Sequence, residues 1–561
     1  MSLQIESERS DDIPLIVYWL EQMQIQSIVD EHCPPLHGNW QGLSYGQLVM
    51  VLLVYMITQS DHRLCAVEPW VKAHHRTLEG ASGWRIAEHD TSDDRLVLVL
   101  ERLGQHPEVQ VKIENDLGQH LIEAYALPTE VARVDTTSFS VYHHPASEEA
   151  EATSVIQYGR SKDHRPDLRQ YRYELSTIDP LGLPIASQVL PGNETDNSIY
   201  VRSWQRLGEA IGHRTFVMIG DCKASALATR AQIHQQGGIY CVPLAQTGHT
   251  PAILKHWVLT PPTEKDWIRL PQQAKDEEPI GVGFEMVLGK RWQAPDNHWI
   301  TWEERQLVVH SFDVAHTEMK TFNRRIEKVE TALAKLAAKP TANACELEKA
   351  AMAVLKRHRL TDCFEIQVRP SSLTVSGAKA SSAPCVNGEA PPSFLLHYQQ
   401  SPDAIEQAQL LMGWRIYVTN AARKRLSLPQ SLGYYRGQWS LENGFHRHKR
   451  GHLPALPIYF RNDDRIRGLM FVLSMALRLF CLMEYVVRST LKATDSKVAG
   501  LYDGNPKRTT KRPSTESLLK AFDNITLYLL PDESTHITPL NALQRHLLAL
   551  MNVPESIYGF T

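Results

Sequence analysis

The chain has 561 residues, 43% apolar and 22% charged. That balance belongs to a soluble globular protein and excludes a disordered, collagenous or disulfide-stapled one. At roughly one domain per 150 residues the length suggests three or four domains and ample core. The net charge of −4 carries no overall basic excess, so any nucleic-acid-binding surface must be local.

The N-terminal stretch MSLQIESERSDD is polar and acidic, unlike a secretion signal. Asp11 and Asp12 can cap a helix reaching Cys33, with Pro14 in its first turn and Leu15, Val17, Leu20, Met23 and Ile28 as its apolar stripe. Further helices are expected over Tyr45–Gln59, Asp94–Leu103 and Val109–Ala126. The run Leu48–Ile57 has ten apolar residues, short of the roughly 20 a membrane span needs. It reads as a buried helix. Eight cysteines without any C-x-x-C pair signal neither a zinc ribbon nor a redox couple, and fit the reducing cytosol.

At residue 130 the pattern becomes β-rich. Val131–Tyr142, Tyr171–Ile178 and Pro184–Val189 read as strands, the last two joined by the turn Asp179-Pro180-Leu181-Gly182. A helix over 198–211, capped by Asp196 or Asn197, a strand Thr215–Ile219, a helix Ser225–Gln236 stopped by Gly237-Gly238, and a strand Ile239–Leu244 complete the order β-β-β-α-β-α-β.

Residues 245–410 read as an insertion. β pieces at Gly281–Leu288 and Gln306–Ser311 precede a short heptad seam, Phe322, Ile326, Val329, Leu333 and Leu336, which Pro340 ends. With a second helix over Cys345–Arg359 this is an internal helical hairpin. Gly377–Ser393, rich in Gly, Ala, Ser and Pro, reads as a mobile loop. Then come a strand at Trp414–Thr419 and a helix from Leu432 or Tyr435 through Lys449. An apolar helix Arg465–Val487, interrupted by Arg478, a polar linker over 490–515 and one or two closing helices complete the chain.

Three acids stand out. Asp135 lies inside an otherwise apolar strand, a costly place unless it is paired or metal-bound. Asp221 ends a strand, where open α/β sheets bind ligands. Glu442 lies on a helix after the insertion. Carboxylates suit Mg²⁺ and Mn²⁺, and three can hold two such ions. Tyr435, Gln438, Glu442 and Lys449 share one face of a continuous helix. Between Ala421 and Arg450 seven Lys or Arg surround Glu442, the sole acid there, a field suited to phosphate backbone. A second basic cluster spans Tyr158–Arg172 and includes Arg160, Lys162 and Arg165. A third, Lys507-Arg508 with Lys511-Arg512, lies in the linker and stays unassigned. His446, His448 and His452 lack partners at zinc spacing and read as solvated or phosphate-facing.

These residues together resemble a DDE-type transposase of a bacterial insertion sequence, of the branch whose third motif is Y-x2-R-x3-E-x6-K. Val134-Asp135-Thr136-Thr137 resembles the first motif, Ile219-Gly220-Asp221 the second, and Tyr435 to Lys449 the third. Gly159–Gln170 and Pro191–Asp196 resemble two further stretches of one subgroup. The resemblance covers about residues 130–480.

It implies an α/β fold with a ribonuclease H-like mixed-sheet core, interrupted by an insertion. The implied division is 1–128, helical and possibly DNA-binding; 129–245 and 411–489, the two parts of the core; 246–410, the insertion; and 490–561, linker and C-terminal helices. It implies Asp135, Asp221 and Glu442 as catalytic ligands of two Mg²⁺ ions, with Mn²⁺ as substitute. Lys449, Tyr435, Gln438, Arg160, Lys162, Arg165 and Arg447 would be on DNA. The implied partners are element ends and target DNA, with a homodimer pairing the ends in the cytoplasm, at the nucleoid. Gln438 stands where the motif has Arg, and Arg436 lies roughly 200° away round a helix. A catalytically inactive DNA-binding derivative is therefore the alternative. A glycoside hydrolase built on a carboxylate pair fits the basic field poorly.

Overall fold

Leu15, Leu20 and Met23 are fully buried, as their spacing requires. The helix they begin does not reach Cys33 unbroken. After a strand β1 (Glu6–Arg9), α1 (Ile13–Gln22) stops, Gln24 takes a left-handed φ of 56°, and α2 (Ile25–His32) starts afresh. Asp12 makes no side-chain cap bond; Asp11 instead accepts from the Ile525 amide. α3 (Tyr45–Gln59) matches its expected bounds because Ser44 and Gln47 close a capping box. α4 (Val67–Ala73) and α5 (His75–Ser82), too short for a clear period, were not legible; α6 (Asp93–Gln105) and α7 (Pro107–Tyr125) were.

The structure is a computed structural model describing residues 6–33, 40–143, 153–195, 199–263, 267–270, 279–371, 393–530 and 534–559. The proposed caps Asp196 and Asn197, and all of the 377–393 loop except Ser393, lie outside them. The chain forms two compact units, Met1–Val242 with Lys290–Trp302 and Ser431–Thr561, and Pro243–Gly289 with Glu303–Gln430.

In the first unit β2 (Val131–Val141), β3 (Arg169–Ile178) and β4 (Leu183–Pro191) form an antiparallel meander. α8 (Ile199–Ile211), β5 (Val217–Ile219), α9 (Leu227–Gln235) and β6 (Ile239–Pro243) follow. β5 pairs parallel to β2, and β6 parallel to β5, giving the order β4-β3-β2-β5-β6. β2–β4 are buried on both faces, so the polar side chains of VARVDTTSFSV and RQYRYELSTI lie largely inside the fold.

The second unit holds α10 (Thr250–Leu259), β7 (Ile268–Leu270), and most of the hairpin β8 (Gly281–Gln293) and β9 (Trp299–Ser311). The hairpin tip belongs to the first unit, where Trp302 donates to the Tyr240 hydroxyl. The heptad seam lies on α11 (Phe312–Ala337), which packs against α12 (Ala344–His358). Val329, Leu333, Leu347 and Leu355 form the core of this hairpin, covered by β10 (Phe364–Ser371) and β11 (Ser393–Gln400). α13 (Pro402–Leu410) leads to β12 (Trp414–Thr419), which pairs with β9.

The C-terminal part holds α14 (Leu428–Arg436), α15 (Trp439–Lys449) and the 31-residue α16 (Asp463–Ala493). α16 is long and apolar enough to cross a membrane by length and composition, and 89% of its most apolar window is buried. It packs on α3, α6 and β4. The expected linker is part helix, since α16 runs to Ala493, and part hairpin, β13 (Val498–Ala499) with β14 (Thr509–Thr510). Beyond α17 (Thr515–Lys520), β15 (Thr526–Leu529) pairs with β16 (Thr535–Ile537) and with β1, and α18 (Ala542–Leu550) follows.

Arg478 explains its own place in an apolar helix. Its side chain is fully buried, and it donates to the Pro184 and Ile185 carbonyls of β4 (2.8 and 2.9 Å) and to Glu114 of α7 (3.3 Å). Glu114 also accepts from the amide and hydroxyl of Ser187 and from Arg206. Glu114→Ala would leave Arg478 buried without its counter-ion. Urea unfolding should show a loss of about 3–5 kcal/mol, and a triple exchange of Glu114, Arg206 and Arg478 for apolar residues should recover most of it. A loss below about 1 kcal/mol would show that this node is not the pin between α7, β4 and α16.

Candidate active site

Asp135 and Asp221 come together through strand register. Arg133 on β2 pairs with Ile219, the last residue of parallel β5; Asp135 follows two residues further along β2, and Asp221 two residues past the end of β5, near enough for its charge to act on Asp135. Each is held locally. The Thr136 amide donates to Asp135 Oδ1 (2.7 Å), while the Tyr200 hydroxyl (2.6 Å) and Lys223 amide (2.9 Å) donate to Asp221 Oδ1. Lys162 Nζ lies 3.3 Å from Asp135 Oδ1 and donates to the Thr136 carbonyl.

Burial makes the ionised form of Asp135 costly. Burial pushes the Asp135 carboxyl up, and the Asp221 charge adds to it, against the pull of Lys162 and the Thr136 amide. The Tyr200 phenol is pushed well above its ordinary value by burial and then by Asp221. It therefore stays a hydrogen-bond donor to Asp221.

Glu442 reaches the same region on α15, which packs on β2. Gly182 permits this approach: its φ is 65°, and a Cβ there would lie 2.8 Å from the Ser440 carbonyl oxygen. Glu442 is exposed, and its carboxylate has no hydrogen bond or ion pair among the described residues. Half-buried Tyr435 senses all three acids: burial raises its phenol first, then Asp221, Cys222, Asp135 and Glu442.

The helix is not continuous, which corrects the expectation of a shared face. It breaks at Gly437-Gln438 between α14 and α15. Arg133, paired with Asp179, donates to the Tyr434 carbonyl, and its guanidinium occupies the space a side chain at 437 would need. Half-buried Gln438 sits at this junction. Lys449, at the far end of α15, lies 2.8 Å from Asp163 and 5.6 Å from the Phe139 ring centroid, tying that end to the 160–165 loop.

The other basic residues sort by burial. Arg160 and Lys162 are exposed and line a cleft of about 600 Å³ with Arg172 and Lys223. Arg165 is exposed and paired with Asp167 at 2.6 Å. Arg447 does not join the site: it is buried and donates to Glu516 and Glu484, which corrects its reading as a DNA contact. Five residues past Glu442 it lies about 140° round the helix, on the inward side. The third cluster meets α15 where Arg512 lies 5.0 Å from the ring centroid of Trp439. Arg172 closes the second basic cluster read from the sequence; Tyr200 and Lys223 were missed, and only Lys223, the cation two residues after Asp221, left a trace in the sequence.

Among the described residues, Glu31, His32 and Asp116 are the group of three ligand-type side chains converging within 4.8 Å. The acids of the site stand wider than that, so one ion would not touch all three as they stand.

No family model matches the chain, and no curated protein does. Among solved structures, a piggyBac transposase in a synaptic complex with hairpin DNA aligns over 98% of this chain and 88% of that one, with 9% identity and a TM-score of 0.32. The functional reading therefore rests on the site itself.

His448, on the helix of Glu442, corrects another expectation. It is fully buried rather than solvated, edge-on to Tyr173, with Nδ1 3.3 Å from the Leu453 carbonyl. His452 instead reaches the Ile57 carbonyl, and His446 is exposed. Burial lowers His448 to about 4. The unfolded chain then takes this proton first, so its contribution is complete above about pH 6.5 and is lost as pH falls toward 4, by up to about 3 kcal/mol. In urea unfolding at pH 7.5 and 4.5, wild type should lose about 2–3 kcal/mol more than His448→Gln. Equal losses would place the acid sensitivity elsewhere.

Proposed function

We propose that this protein is a DDE-type DNA transposase with a ribonuclease H-like core, which cuts insertion-sequence ends and joins the 3′-hydroxyls to target DNA. The observation that carries the reading is the acid pair, Asp135 on β2 and Asp221 just past the end of the parallel strand β5, with the Glu442 helix laid on β2 in a basic field. The element order β-β-β-α-β-α-β, with an antiparallel β2–β3–β4 meander and with β5 and β6 parallel to β2, supports such a core.

The donors fit hard divalent cations. All three are carboxylates, and burial, with a smaller part from the Asp221 charge, makes the ionised form of Asp135 costly, a cost that a bound cation relieves. Asp135, Asp221 and Glu442 would hold two Mg²⁺ ions, which when bound would activate a water or 3′-hydroxyl and stabilise the leaving oxygen. The chain's own groups do the rest. Tyr200 fixes the orientation of Asp221, Lys162 steadies Asp135, and Arg160, Lys162 and Arg165 face the phosphate backbone. Lys449 and Tyr435 bracket Glu442 and contact the DNA end. Pairing two ends calls for a homodimer, acting at the bacterial nucleoid in the cytoplasm.

Gln438 favours one second reading, a DNA-binding derivative without catalysis. The two separate in one experiment. A selectable marker flanked by the DNA bordering the gene is introduced into cells with wild type or Asp135→Asn. Excision by wild type, falling to background in the variant, is expected. Excision by both would sink the assignment of Asp135. Excision by neither, with specific gel-shift binding, would favour the inactive derivative.

A further inference from the structure

The cleft beside the acids has a chemistry of its own. Four cations line it, Arg160, Lys162, Arg172 and Lys223, together with His164. Among the described residues its one lining acid, Glu194, is 3.4 Å from Arg202. Its walls are fixed: Arg172 is buried and donates to the Glu194 carbonyl and the Thr136 hydroxyl, both at 2.6 Å, and Gln170 holds the Gly192 carbonyl at 2.9 Å. Among the described residues no lining side chain is aromatic apart from the His164 imidazole, so these offer charge and amide or hydroxyl groups but no stacking platform for a base.

Two lining residues belong at once to the acid pair. Lys162 lies 3.3 Å from Asp135, and the Lys223 backbone donates to Asp221. Whatever occupies the cleft is therefore a neighbour of whatever occupies the acids.

We infer that this cleft binds the sugar–phosphate backbone of one DNA strand next to the phosphate being cut, with Arg160 and Lys223 contacting its phosphates. The inference rests on the proposed DNA-cutting role of Asp135 and Asp221 and adds the track along which the strand leaves them. About 600 Å³ admits a nucleotide's backbone, and the missing stacking surface leaves the base outside. Lys162 then links the two sites, reaching Asp135 on one side and a strand phosphate on the other. Contact is with phosphates alone, so affinity here is independent of sequence and strongly dependent on salt.

The test uses the full chain in an Asp135→Asn background, so that no DNA is cut. Binding of a fluorescein-labelled duplex is measured by anisotropy over a range of salt. Arg160→Ala/Lys223→Ala should weaken binding and reduce the slope of log K against log salt by about 1.8, two phosphate contacts at roughly 0.9 each. Lys349→Ala/Lys356→Ala, which removes two exposed cations of the second unit, should leave the slope unchanged. Circular dichroism of both variants checks that they fold. An unchanged slope in the cleft variant, or an equal drop in the control, would overturn this inference while leaving the transposase reading intact. Failure of the parent to bind DNA at all would overturn both, and locates the fault in the reading itself.

Discussion

The fold depends on docking one long apolar helix against the back of a sheet. α16 is buried along most of its length, and its single interior cation, Arg478, fixes where it sits by binding the β4 backbone and Glu114 of α7. Apolar contact alone is non-directional and would let such a helix slide. A buried, multiply hydrogen-bonded arginine sets the register, since any displacement strands a charge. β4 and β3 then hold β2, and β2 carries Asp135.

A second constraint works from the other side. Arg133, two residues before Asp135, is tied to Asp179 in the β3–β4 turn and to the carbonyl of Tyr434. That turn also carries Gly182, which lets the backbone at Ser440 come close. One strand thus presents an acid and, one side-chain period earlier, the arginine that bends the Glu442 helix over it. The break at Gly437-Gln438 follows from this contact, and it turns Tyr435 toward the acids independently of the α15 axis. Helical spacing cannot carry that information, because it assumes one axis.

How much was legible follows the same division. Long elements with clear periods were read nearly to the residue, as at Tyr45–Gln59 and Trp414–Thr419, because a cap or a turn residue fixed their ends. The acid pair was legible because a carboxylate in a buried strand is expensive and therefore conspicuous. Arg447 and His448 were misjudged because a charge count treats every cation on a helix as facing one way. Their partners, Glu484, Glu516 and the Leu453 carbonyl, are set by tertiary packing. Tyr200 was missed for the converse reason: nothing local marks a tyrosine on α8 as facing an acid.

Charge placement ties these observations together. The chain's net charge is −4, yet the surface around the acid pair is cationic, while Arg133, Arg447 and Arg478 are buried against carboxylates. Arginine thus serves two ends. Inside, its planar fork satisfies several acceptors and locks helices to the sheet. Outside, at Arg160, and with lysines at 162, 223 and 449, cations bracket the Asp135–Asp221 pair. On the proposed reading a polyanionic strand is attracted by that rim, and its approach to the carboxylates themselves needs a counter-charge, from Lys162 or from a bound cation. Opposite charges set this close together favour a charged ligand over an uncharged one.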